Sequence, residues 1–405
     1  MEQPGTARKF LKFLVNAVLI VVSPALFILS AELFLRLIHY KPPEIVTREK
    51  YKDVNKLYLP HSHALWCGNL GHALDFENEV VTNALTLHDT DHAFEKNPGV
   101  YRILFLGDSF VESLQVPLED TFFKIIERDL NKKSKELFGK ESIEAVAIGR
   151  SGAGSIQETV DLVNLGLKFS PNLVITLVVD QNDFKDDVLF LDRLKNPGKY
   201  RRSVNIFRDI DAGNELELYE RMMVFNNSLL NRWLAFKIFE IRQKPKIEAE
   251  QISAYGDDMA IFEKDGAGIF GGSKKVWDNV FKITASNHIR MARLSRGKNA
   301  DYLVVFVPNT FIVEPGASRD LYRFFPRYKG KLDFKRPVHW MERAFDAYQV
   351  NHLDLNGAFA DFFLKNHRAL HFRHDGHWNK EGHQFAAVLI ENYLEKKLNQ
   401  GKLTP

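Results

Sequence analysis

Three hydrophobic regimes follow one another along the chain. Behind Arg8, Lys9 and Lys12 runs an apolar stretch from Phe13 to Ala31, broken by Asn16, Ser23, Pro24 and Ser30 and extended past Glu32 by Leu33, Phe34 and Leu35. About twenty apolar residues cross a bilayer as a helix, whereas the apolar part of a cleaved signal peptide is roughly 7 to 15 residues long. The run therefore predicts a short tail at 1–12 and a transmembrane anchor at 13–37, with cleavage near Ala31 as the competing reading. Arg36, Lys41, Arg48, Lys50 and Lys52 follow the run, so basic residues flank it on both sides and charge alone sets no orientation.

The second regime, 38–98, carries little periodicity and reads as a linker or N-terminal extension, with Lys41-Pro42-Pro43 a stiff exit from the membrane. The third begins at residue 101, where short apolar runs alternate with longer helical patterns. Strands are predicted at Tyr101–Leu106, Ile143–Ile148, Leu173–Val179, Tyr302–Val307 and His352–Leu355, and helices at Thr121–Asn131, Ser155–Lys168 and from about Lys380 to Lys396. Ser155 with Glu158 three positions on has the spacing of a capping box. Strands alternating with helices make an α/β protein with right-handed crossovers and a parallel sheet. Residues 200–300 interrupt the pattern as an insertion. Within it, Leu229, Leu230, Trp233, Leu234, Phe236, Ile238 and Phe239 predict a helix packed over the core. Gly266-Ala267-Gly268-Ile269-Phe270-Gly271 has dinucleotide-binding spacing, but Phe262-Glu263-Lys264-Asp265 before it is no buried strand, so it reads as a flexible surface loop.

Composition narrows the function classes. With 55 basic and 52 acidic residues the net charge is +3, too balanced for a nucleic-acid-binding face. Hydrophobic residues at 45% and charged residues at 26% fit a globular protein rather than a disordered or polytopic membrane chain. The single cysteine, Cys67, excludes an intrachain disulfide and a cysteine-rich metal site. His371, His374, His377 and His383 raise a metal reading, but no upstream Asp/His pair is spaced to complete a site, so neither metal nor organic cofactor is expected.

Candidate chemistry sits where strands end. Ser109 directly follows the first buried strand in Leu104-Phe105-Leu106-Gly107-Asp108-Ser109, the edge at which open α/β sheets present reactive groups. A serine hydroxyl needs a base. His377 is the candidate, with Asp375 two residues before it, near enough on a turn to hold one ring nitrogen while the other faces the serine. Gly152, in Ser151-Gly152-Ala153-Gly154, lets backbone N–H groups approach a substrate, and the Asn182 amide, in Asp180-Gln181-Asn182-Asp183, is a neutral donor for developing negative charge. Singly, each has a bland reading: a turn serine, a loop glycine, a helix cap. Their order along the chain is the stronger signal.

Gly107-Asp108-Ser109-Phe110, then Gly152, then Asn182-Asp183, then Asp375-x-His377 resembles the four blocks of the SGNH hydrolases, also called GDSL-type esterases and lipases, over about residues 99–398. The resemblance implies a three-layer α/β/α, flavodoxin-like fold preceded by the anchor. It also implies Ser109 as nucleophile and first oxyanion donor, Gly152 and Asn182 as further donors, His377 as base and Asp375 as its orienting partner. Phe110 stands for the usual leucine, Ala147 for an asparagine and Asp180 for a glycine. His374, not an acid, lies three residues before His377, and the Asp-x-His-Trp arrangement is similar to SGNH-type proteins that O-acetylate exopolysaccharides.

The resemblance implies a cell-membrane protein with a single pass and an extracytoplasmic, periplasmic domain. Such a protein would act on an acyl ester or acylated cell-envelope carbohydrate. Three activities stay open: ester hydrolysis, O-acetyl transfer to polysaccharide with an integral membrane partner supplying acyl groups, and glycan binding by an inactive SGNH fold.

Overall fold

In the computed structural model, residues 4–41, 54–68, 74–180, 182–195, 228–238, 241, 267–271, 275–373 and 375–404 are described. Pro42-Pro43, Gln181, Phe239, Phe262-Glu263-Lys264-Asp265, Gly266 and His374, with most of the 200–300 insertion, lie outside them. Seven strands are present among the described residues: β1 (His63–Cys67), β2 (Glu77–Val81), β3 (Val100–Gly107), β4 (Ser142–Gly149), β5 (Leu173–Val178), β6 (Asp301–Phe306) and β7 (Asn351–Asp354). The last five form one parallel sheet in the order β4-β3-β5-β6-β7, the flavodoxin-like order, with all five sequence-predicted strands in place.

Apolar alternation assigns the two faces of this sheet. Tyr101, Ile103 and Phe105 of β3 pack with helices Phe122–Asn131, Asn356–Asn366 and Lys380–Asn399. Leu104 and Leu106 face the other way, toward helices Ser155–Asn164, Lys275–Arg296 and Arg336–Ala347. Both faces are covered, which is why the strands read as continuous apolar runs. The result is a three-layer α/β/α sandwich. Trp277, Phe281 and Met291 are buried under the sheet, so the C-terminal part of the predicted insertion is the β5-to-β6 crossover helix.

Two local expectations are corrected. The helix after β4 starts at Ser155 with Gly154 as its cap, and no capping box forms. Instead Asp187, from the helix Asp183–Lys195, accepts hydrogen bonds from the Ser155 hydroxyl (2.6 Å) and the Ile156 N–H (2.9 Å), and Glu158 turns inward. A carboxylate across the layer takes the role expected of the chain's own Glu158. Ala267–Gly271 is a short helix rather than a surface loop, because Ile269 and Phe270 are buried, Phe270 against the Phe334 ring with centroids 5.2 Å apart. Within 38–98, the antiparallel hairpin β1–β2 docks on the main domain: the buried Asn78 amide donates to the Leu114 and Val116 carbonyls at 2.9 and 2.8 Å.

The N-terminal helix α1 (Pro4–Leu37) contains the stretch Val18–Leu37, long and apolar enough to cross a membrane. Ile20, Phe27 and Leu29 are exposed along it. Its Glu32 accepts from the Ser228 hydroxyl and from the Leu229 and Leu230 N–H groups, at 2.8 to 3.1 Å, and so caps the helix at 229–238.

Candidate active site

Ser109 lies at the carboxyl end of β3, beside the point where the strand order reverses between β3 and β5. It opens a single helical turn, α2 (Ser109–Glu112), whose cap Asp108 accepts from the Phe110 N–H at 2.9 Å. The turn is pressed onto the end of β4: a Cβ on Gly149 would lie 2.0 Å from the Glu112 nitrogen, so only glycine fits there. The chain's far end supplies the candidate base. The segment between Leu370 and the helix Lys380–Asn399 folds as a tight loop, closed by Phe372 N–H to the His377 carbonyl at 2.8 Å and Gly376 N–H to the Phe372 carbonyl at 3.0 Å.

This loop brings His377 Nε2 to 2.6 Å from Ser109 Oγ, and its Nδ1 to 2.6 Å from Asp375 Oδ1. The Asp375 carboxylate also accepts the His377 N–H at 3.2 Å, so the two-residue spacing forms a small ring that orients the imidazole. Phe110 packs on the His377 ring at 4.8 Å, and Asp75, next to β2, accepts the Asp375 N–H at 3.1 Å. Burial pulls the His377 proton affinity down. The Asp375 hydrogen bond and charge, with the charges of Asp108 and Glu112, outweigh it and raise the pKa above 6.5.

The other two predicted donors lie at the same edge. Gly152 sits in the turn after β4 at φ +74°, a left-handed conformation that glycine adopts without strain. Asn182 follows β5; its side chain hydrogen-bonds to Asp108, the neighbour of Ser109. All five predicted residues are thus gathered at the ends of β3, β4 and β5 and in the C-terminal loop. His371 and His383 go elsewhere: both are buried and, through desolvation, held to about 4 and about 3, hence neutral. The His383 Nδ1 accepts the Phe122 N–H at 3.2 Å, a structural role.

One residue packed behind the site, Glu158, lies outside the motif blocks. Asp108, Glu158 and Asp183 form a fully buried acid cluster behind the serine. Desolvation and then their mutual charges raise the pKa of Glu158 and Asp183, while for Asp108 desolvation prevails over its hydrogen bonds. Neither Glu158 oxygen has a hydrogen-bond partner among the described residues. Asp108 and Asp183 stand within the motif blocks, whereas Glu158 carries only the capping-box spacing in the sequence.

No family model matches the chain, and no curated protein matches it. Solved structures similar to it include an acetyl xylan esterase, 13% identical with a TM-score of 0.38, the alignment covering 72% of this chain and 98% of that one. A two-domain esterase active on acetylated mannans is 11% identical with a TM-score of 0.39, covering 76% of this chain and 51% of the other. A lipase/acylhydrolase from Enterococcus faecalis is 10% identical with a TM-score of 0.37, covering 73% and 96%. In its own sheet order and the placement of its motif blocks, the chain resembles the SGNH hydrolases.

Proposed function

We propose that the protein cleaves acyl esters through a serine-bound acyl intermediate, acting on acylated carbohydrate of the cell envelope. The observation that carries this is the unbroken relay Ser109 Oγ, His377 Nε2, His377 Nδ1, Asp375 Oδ1, with both links at 2.6 Å. His377 takes the Ser109 proton as Oγ attacks the ester carbonyl. The resulting oxyanion is held by the N–H groups of Ser109 and Gly152 and by the Asn182 amide, which has a second donor besides the one reaching Asp108. Collapse expels the alcohol, which takes the proton from His377. Water or a sugar hydroxyl then gives its proton to His377 and attacks the acyl-serine, and collapse breaks the acyl–Oγ bond, releasing the acid or a new ester as His377 returns the proton to Ser109 Oγ. Asp375 keeps the imidazole in the required tautomer and stabilises its cationic form.

Water and a sugar hydroxyl are equivalent acceptors in this scheme, so hydrolysis and O-acetyl transfer share every residue. The intact Ser109, His377 and Asp375 set speaks for chemistry over a purely glycan-binding role. The apolar stretch Val18–Leu37 supports single-pass anchoring, and a substrate among the envelope glycans would put the domain on the extracytoplasmic side. In the transfer version an integral membrane partner supplies the acyl group. The test is the fate of the acyl group: full-length protein in detergent is given an isotopically labelled acetyl ester and an oligosaccharide, and products are read by mass spectrometry. Label in acetate alone assigns hydrolysis, label on the sugar assigns transfer, and label in neither contradicts the proposal.

A further inference from the structure

We propose that Glu112 is a positioning residue that fixes the oxyanion loop of the site, acting on Gly152 through Ser151. The inference rests on the acyl-serine reading above and deepens it. The single turn α2 begins with Ser109 and ends with Glu112. Glu112 Oε2 accepts two hydrogen bonds from Ser151, one from its backbone N–H at 3.0 Å and one from its hydroxyl. Ser151 immediately precedes Gly152.

The loop needs such a tether. Ser151 and Gly152 are exposed, and the left-handed φ of Gly152 belongs to a residue with no side chain to pack. The Ala153 N–H to Arg150 carbonyl bond (3.0 Å) closes the turn and Arg150 ties its start to the Gly107 carbonyl (3.0 Å) and to Asp161 (3.3 Å), while among the described residues the Glu112 carboxylate is what joins Ser151 to α2. Glu112 is itself fixed on three sides. Its carbonyl accepts from the buried His88 Nδ1 at 3.0 Å, its nitrogen abuts Gly149, and Ser113 ends the turn in a left-handed cap bonded to the Ser109 carbonyl. One four-residue turn therefore sets both the nucleophile and the neighbouring donor, so their separation is defined by a single rigid piece. Charged and titratable groups facing the carboxylate are Arg150 after β4, Asp108 before α2, His377 in the C-terminal loop and Tyr58 in the N-terminal extension.

An oxyanion donor is worth about 10²–10³ in kcat, and its misplacement shows in kcat rather than in substrate binding. Glu112→Ala is expected to lower kcat on a small acetyl ester by roughly a hundredfold with KM within a few-fold. Glu112→Gln, which keeps an oxygen for the Ser151 N–H, is expected to recover most of that loss. Combined with Gly152→Ala, Glu112→Ala should add little further loss, because both disable one donor. Folding of each variant is checked by near-UV circular dichroism, and Glu112→Met, which fills the same space with no acceptor for Ser151 and is expected to show the same loss, stands in where Glu112→Ala does not fold. Wild-type kcat in Glu112→Ala, or losses that multiply independently with Gly152→Ala, would overturn the inference. Ser109→Ala separates the failures: if it abolishes turnover while Glu112→Ala does not, the positioning role alone is wrong, and if it leaves turnover intact the acyl-serine reading falls.

Discussion

At the residue scale, the site depends on how buried charges are managed. In the proposed mechanism His377 has to be neutral to accept the Ser109 proton, and Asp375, Asp108 and Glu112 together favour its protonated form. The acid limb of the kcat/KM profile is therefore expected above the ordinary histidine value of about 6.5. Asp375→Asn should move that limb down and lower kcat by roughly ten-thousandfold, which a pH series of initial rates would show. Glu158 presents the opposite problem. Desolvation, followed by the charges of Asp108, Asp187 and Asp161, raises its pKa, so the folded chain keeps a proton that the unfolded chain releases above about pH 4. Stability then falls as pH rises through that interval. Thermal melts should show Glu158→Gln gaining over wild type at about pH 8, by on the order of 1 kcal/mol or more, with the gain shrinking toward about pH 5.

At the scale of elements, the turn that carries Ser109 is held by close packing rather than by its own helical propensity, since a single turn cannot nucleate alone. Gly149 makes the packing feasible. Adding a methyl group there forces backbone against backbone, and Gly149→Ala is expected to cost about 1–3 kcal/mol in denaturant titrations while also lowering kcat, because α2 has to shift. The elements were legible in the sequence where two-sided burial left an unambiguous apolar run, as in β3 and β5, and where the motif blocks followed them. They were illegible where a distant group overrode the local signal. Ser155 and Glu158 have capping-box spacing, yet Asp187 from another helix takes the capping role, and no local rule foresees a carboxylate arriving from residue 187. Ile269 and Phe270 were hidden by the glycines around them. Glu112 carries no sequence signal because its role depends on the loop it meets, not on its neighbours in the chain.

At the scale of the whole molecule, the site is assembled from both ends of the chain. Asp75, near the N-terminal hairpin, accepts the Asp375 N–H, and Phe76 packs against Phe372 with ring centroids 5.0 Å apart. The hairpin segment thus braces the loop that carries His377, and the weak periodicity that suggests a linker reflects a segment stabilised by contacts with the domain. Glu32 joins the apolar helix to the helix at 229–238, but no described contact joins α1 to the Ser109 site. Removing 1–37 should therefore release the protein from the membrane fraction while leaving kcat on a small acetyl ester within a few-fold of the full chain, measured on the two fractions after centrifugation. Loss of turnover in the shortened chain would instead tie α1 to catalysis.

The central claim is that Ser109, activated by His377, forms the acyl intermediate. Its most direct test is turnover of a small acetyl ester by Ser109→Ala beside wild type, with matched circular dichroism spectra. The account predicts a fall in kcat of several orders of magnitude at unchanged fold, together with loss of the acetylated Ser109 peptide seen after acid quench of the wild type. Wild-type turnover by Ser109→Ala, or an acetyl group trapped on a different residue, would contradict it.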